Sequence, residues 1–287
     1  MFKQYLAAAA LLLNALIFGC SWWFFRGLQA HGVHPIWATA LAYAFGLACL
    51  QLLWPSAWRG LLQHPQLWWL ALSSGLTNLG FNWAVATGDV MRVVLLFYLM
   101  PVWAVLLAWL LLGEKPSLAA LLRLGLALAG VVIVLKTAQS PWPLPQSLPD
   151  WLALMGGVSF ALTNILLLKY NHTPASTRMW AMFMGGTVIA GLTAWLGIQQ
   201  NVLSLPPAPS LAWVALVIAV GAAFLVANLA LQYGAAHLRA NVTALIMLSE
   251  VVFASVSSVL LGASELSLRT LLGGALILLA SLLSVLT

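Results

Sequence analysis

Runs of about twenty apolar residues, one after another with short breaks, constrain this chain more than any other feature of it. Loop signals divide the sequence into ten such segments: 5–26, 35–54, 67–87, 91–112, 118–136, 151–169, 178–198, 211–233, 240–261 and 267–286. The breaks are rich in Gly and Pro, as at Gly32 to Pro35, Pro55 to Pro65, Gly113 to Ser117 and Pro206 to Ser210. In hydrocarbon every backbone polar group needs an internal partner, which leaves only helices and closed barrels. Barrel strands alternate apolar and polar residues over about ten positions, whereas these runs are continuous. The sequence therefore predicts an all-α integral membrane protein of ten transmembrane helices.

Composition supports this solvent. Only 6% of the 287 residues are charged against 63% hydrophobic, where a soluble domain carries roughly 25% charged residues. Eleven Lys or Arg and five acidic residues cannot make a hydrated shell. The net charge of +6 is scattered singly and lacks the clustered stripe that tracks phosphates, so no nucleic-acid partner is expected. Cys20 and Cys49 lie inside apolar runs and read as small buried residues. The run from Tyr5 to Phe25 has no small-residue cleavage site and is expected to act as its own insertion signal.

Basic residues set orientation, because cytoplasmic loops are enriched in them. With the N-terminus inside, Lys3, Arg59, Lys115, Arg123, Lys169, Arg178 and Arg239 lie at cytoplasmic ends, against Arg26, Arg92, Lys136 and Arg269 outside. Both termini are thus expected in the cytoplasm.

A Pro-rich stretch, 140–150, separates residues 1–139 from 151–287, and the two parts resemble each other. Asn82 to Leu112 aligns with Asn228 to Leu261, pairing Asn82 with Asn228, Gly88 with Gly234, Arg92 with Arg239 and Gly113 with Gly262. Five spans per repeat is an odd number, so the second repeat enters the membrane inverted, an architecture common among secondary transporters.

Glu250 lies eleven residues after Arg239 and twelve before Gly262, about 16 to 18 Å from each end of its span. An acid near the midplane is costly and usually faces a cavity or a partner; a substrate amine or a proton is the expected ligand, with a hydrogen bond between helices as the alternative. Pro101, its repeat counterpart, is expected to kink the fourth span. Ser74, Asn78 and Asn82 at i, i+4, i+8 form a polar stripe, repeated by Asn228 and Gln232. Asn14, Phe18, Ser21 and Trp22 share a face of the first span; Phe160, Thr163 and Asn164 share one on the sixth. Trp22 and Tyr43 suggest an aromatic wall. Asp89 and Arg92 read as an exposed pair in a loop, and Gly185, Gly186, Gly191, Gly273 and Gly274 as points of close helix approach.

At these motifs the chain resembles the drug/metabolite transporter superfamily, in particular its ten-helix EamA-type members, which export amino acids and metabolites. The resemblance rests on Phe18-Gly19-Cys20-Ser21, on Met100-Pro101-Val102 leading to Leu112-Gly113-Glu114-Lys115, and on Ser249-Glu250-Val251 leading to Leu261-Gly262 with Glu265. It implies a central cavity between the repeats, lined by spans 1, 3, 4, 6, 8 and 9. Two features depart from the family pattern. The mid-helix Glu-Pro pair is split, since Pro101 has no adjacent acid and Glu250 no adjacent proline, and an Arg of the second span is replaced by the uncharged Ala40 to Tyr43. An anionic substrate is disfavoured accordingly.

The expected function is an alternating-access exporter of amino acids or small amine-bearing metabolites in a bacterial inner membrane. Glu250 would bind the amine or a coupling proton, and Asn14, Asn78, Asn82, Asn164, Asn228 and Gln232 would hydrogen-bond the solute. Efflux of lipophilic or quaternary cations is the alternative, and a non-transporting membrane sensor a remote one. No Ser or Cys sits with a base at membrane depth and no metal motif occurs, so no enzyme and no cofactor are expected. The partners are the solute and membrane lipid, with the chain a monomer or homodimer.

Overall fold

The computed structural model of the chain describes residues 2–112, 117–135, 145–238, 246–247, 249–265 and 267–286. Among these residues the only regular structure is helical. The first repeat comprises α1 (Phe2–Ala30), α2 (Pro35–Leu53), a short α3 (Ala57–Gln63), α4 (Leu67–Thr87), α5 (Val90–Phe97), α6 (Met100–Leu112) and α7 (Leu118–Leu135). The second comprises α8 (Leu148–Lys169), α9 (Ala175–Gln199), α10 (Leu211–His237), α11 (Ser249–Leu260) and α12 (Leu268–Leu286). Five of these helices, α1, α2, α8, α9 and α10, are each long and apolar enough alone to cross a membrane. Arg239, the repeat partner of Arg92, and Glu114, Lys115 and Lys136 lie outside the described residues.

The outer surface is apolar, and a set of polar side chains is buried among the apolar core. Tyr5, Trp23, Leu52, Trp69, Leu110 and Leu211 are exposed, whereas Asn14, Thr39, Ser73, Ser74 and Asn82 are buried. Lipid solvates the first set, and burying the second lets their polar atoms pair away from hydrocarbon.

Helix contacts follow an internal twofold relation. The most extensive pair α1 with α10 and α4 with α8, each the first span of one repeat against the third of the other. Contacts of α4 with α9 answer those of α10 with α2; α2 packs on α9 and α7 on α12, each span on its own counterpart. The repeats are inverted. Arg26 near the end of α1 donates to the Gly88 carbonyl at the end of α4 (2.6 Å), and Arg92 at the start of α5 bonds Asp150 at the start of α8 (2.8 Å). The first helix of the second repeat therefore begins where that of the first repeat ends.

Span four is divided. Tyr98 and Leu99 form a turn between α5 and α6, just before Pro101, which has no N–H to offer the Phe97 carbonyl four residues back. Gly157 of α8 packs on that carbonyl, and a Cβ there would stand 2.7 Å from its oxygen. Of the glycines expected at close approaches, Gly185 lies against the Ala71 backbone, whereas Gly191 faces open space.

Candidate functional site: a central cavity between the repeats

A cavity with about 80 Å³ of free space lies between the repeats, room for several waters. Both repeats build it. Asn14 and Phe18 of α1, Tyr43 of α2 and Ser74, Asn78 and Phe81 of α4 line one side. Phe160 and Asn164 of α8, Phe183 of α9, Asn228 of α10, and Met247 and Glu250 face them. The second and seventh spans thus join the six that the family resemblance implies.

The acid is held from the broken fourth span. Glu250 is 7% exposed, and the Tyr98 hydroxyl lies 2.9 Å from its Oε2 and 3.2 Å from the Met247 carbonyl oxygen. That hydroxyl has one proton for two acceptors. Close approach of α1 sets the backbone here: a Cβ on Gly19 would lie 2.8 Å from the Glu250 carbonyl oxygen and 2.9 Å from the Phe253 Cβ. Asn14 Nδ2 donates to the Ala227 carbonyl (2.8 Å), while its Oδ1 is buried and has no hydrogen-bond partner. Tyr43 donates to Asn78 Oδ1, and Asn78 Nδ2 donates back to the Ser74 carbonyl at 2.8 Å. Aromatic rings fill most of the remainder: Phe97 lies against Phe81 and Phe160, with centroids 4.7 and 5.3 Å apart, and Phe183 against Tyr43 at 5.1 Å.

The two ends of the cavity differ. Towards the Lys169 end of α8, Asn164 lines the cavity and is exposed. Towards the other end, the corner of α4 and α5 is bonded to three neighbours. Arg26 holds the Gly88 carbonyl, the Met91 N–H donates to Ser264 Oγ at 3.3 Å, and Arg92 forks onto Asp150 through Nε to Oδ1 (2.8 Å) and Nη2 to Oδ2 (2.9 Å). Asp150 is 3% exposed. It also accepts from the Gln146 N–H and closes a capping box with Ser147, so it is fixed from both sides.

A model of the EamA-like transporter family matches twice, over residues 5–136 and 147–286. The chain belongs to the EamA-like transporter family. This transporter is 34% identical over 128 residues to an uncharacterized transporter of Pseudomonas aeruginosa, a match covering 42% of this chain and 40% of that protein. A solved crystal structure superimposes on it with a TM-score of 0.60, over 98% of this chain and 96% of that one, at 20% identity; at that identity the likeness shows the fold. The chain is thus a multi-pass membrane transporter and not an enzyme.

Within this EamA-like transporter the polar residues singled out in the sequence separate into two groups. Asn14, Tyr43, Asn78, Asn164, Asn228 and Glu250 line the cavity. Trp22 lies elsewhere: its Nε1 donates to Ser257 Oγ at 3.0 Å, and its ring carries the Arg26 guanidinium at 5.2 Å, so it builds no wall with Tyr43. Asn82 turns to α2 and donates to Thr39 Oγ1 at 3.3 Å. Gln232 is not among the lining residues. A helix turns about 100° per residue, so an i, i+4 stripe drifts about 40° per step and leaves a narrow cavity within two steps.

Asp89 and Arg92 form no side-chain pair of the expected kind. The Asp89 carboxylate caps α5 by accepting the Arg92 backbone N–H at 2.8 Å, while the Arg92 guanidinium reaches Asp150. Sequence reasoning also missed Tyr98, a lone hydroxyl in an apolar run. Its signal was its place three residues before Pro101.

Proposed function

We propose that this transporter exports small amine-bearing solutes by alternating access between its inverted repeats. The observation that carries the reading is Glu250, a buried carboxylate in a cavity between the repeats with no Lys, Arg or His among the described lining residues. A carboxylate so placed binds a cation or a proton, and each would leave the other unbound. Rocking of one repeat against the other accounts for transfer, because the cavity lies between the repeats and one end is tied across them by Arg92 and Asp150. The basic residues favour cytoplasmic termini, which makes the Lys169 end of α8 cytoplasmic and the Arg92–Asp150 end external. The family resemblance supports a bacterial inner membrane and net export.

A second reading, efflux of lipophilic or quaternary cations, draws on the rings of Phe81, Phe97, Phe160 and Phe183, whose faces attract cations. Thermal stabilisation against amino acids, polyamines, arylalkylamines and quaternary amines tests both. A ligand at 100 times its Kd adds roughly 2.7 kcal/mol. Stabilisation by amines that disappears in Glu250→Gln is expected. Stabilisation by quaternary amines alone moves the assignment to the second reading, and stabilisation that persists in Glu250→Gln removes the acid from either.

A further inference from the structure

We infer that the solute nitrogen carries its own N–H donors and that the solute has no carboxylate: the cavity is built for a protonated primary or secondary amine. This rests on the amine reading of the same site. The observation that goes beyond that reading is Asn14.

Asn14 is wholly buried on α1, yet its Oδ1 has no partner while its Nδ2 is committed to the Ala227 carbonyl. That bond fixes the amide so that an acceptor is left over. Buried acceptors are nearly always paired, and leaving one unpaired costs stability. Asn14 lines the cavity that Glu250 also lines, and α1 is pressed onto the Glu250 backbone at Gly19. Two acceptors of different kinds, a carboxylate and a neutral amide oxygen, therefore belong to residues that line one space. A protonated amine has several N–H groups on a single centre and supplies both at once. A quaternary nitrogen satisfies the charge and the rings but leaves the Asn14 oxygen unpaired.

Among the described residues the cavity offers a solute carboxylate no basic partner. Of the eleven Lys and Arg, none of the eight at described positions lines the cavity. Lys115, Lys136 and Arg239 lie outside the described residues. An α-amino acid would thus bring its carboxylate beside Glu250 with no cation among the described lining residues to oppose it. The phenyl rings around Phe97 suit an apolar or aromatic body on the amine.

Three matched ligands test this on the unmodified protein: 2-phenylethylamine, phenylalanine, which adds a carboxylate, and N,N,N-trimethyl-2-phenylethylammonium, which removes every N–H. Titration of the detergent-solubilised transporter is expected to give 2-phenylethylamine at least about tenfold lower Kd than either analogue, tenfold being 1.4 kcal/mol. Asn14→Leu is expected to collapse its advantage over the trimethyl compound while leaving the Kd of that compound within about threefold. Equal binding of the trimethyl compound overturns the role of the N–H donors. Equal or tighter binding of phenylalanine, lost in Glu250→Gln, overturns the exclusion of carboxylates and leaves the amine reading standing. Failure of all three ligands to bind overturns the inference, and if the wider amine panel fails too, the amine reading falls with it.

Discussion

If the repeats rock about the cavity, the Arg92–Asp150 pair must break whenever the sealed end opens, so weakening it should open that end. Removing one partner of a buried, hydrogen-bonded ion pair costs about 3 to 5 kcal/mol. Asp150 is 3% exposed but Arg92 is 22% exposed, so solvent screens part of the loss, and Asn at 150 retains one acceptor. About 2 kcal/mol against the sealed conformer is the resulting magnitude for Asp150→Asn, a shift of about 30-fold in the population open at this end. Cys20 and Cys49 are the two cysteines and can be replaced by Ser, leaving a single reporter at Thr77→Cys inside the cavity. A membrane-impermeant thiol reagent applied from the Arg92 side should label this reporter about 30-fold faster in Asp150→Asn. Arg92→Ala should accelerate labelling to a similar extent. Unchanged rates in both variants, with the fold intact by thermal melting, would refute the pair as the closure of this end.

Two further outcomes follow from local geometry. Gly19→Ala puts a Cβ at 2.8 Å from the Glu250 carbonyl oxygen, so helix separation or strain should cost about 1 to 3 kcal/mol; a lowered Tm and weaker amine binding are expected, and an unchanged Tm would show that α1 and α11 yield there freely. His34 caps α2 by accepting the Ile36 N–H through Nδ1 at 3.3 Å, which requires the neutral ring, and burial pushes its pKa below the ordinary value. The unfolded chain then binds the proton more readily, so the contribution of this cap is complete above about pH 6.5 and fades as pH falls through the lower native value. Melting curves from pH 8 to 5 should show a decline that His34→Asn lessens; an identical decline in that variant would clear His34.

The membrane class was legible because every span is a long apolar run, and the inverted repeat because two such stretches share Asn, Gly and Arg at matched spacing. What stayed hidden was what lies beyond a helical period. Asp150 is remote from Arg92 in the chain while Asp89 is three residues away, so proximity in sequence suggested the wrong partner. The segment Pro55 to Pro65 reads as a loop, yet it contains α3, where Gly60 lies against Thr177 of α9. Tyr98 reads as one more apolar position until the turn before Pro101 aims its hydroxyl at α11. The placement of Asn14, Asn78, Asn164 and Asn228 at the cavity was readable from polar spacing within apolar spans. The turning of Asn82 towards Thr39 was not, because it depends on which neighbour packs beside α4.

The account rests most heavily on Glu250, and counterflow tests it most directly. Proteoliposomes preloaded with unlabelled 2-phenylethylamine should accumulate the labelled amine through the wild-type protein, and Glu250→Gln, if it reaches the membrane folded, should reduce the initial rate at least about tenfold. Equal counterflow by the variant would contradict the central claim that this buried carboxylate carries the amine.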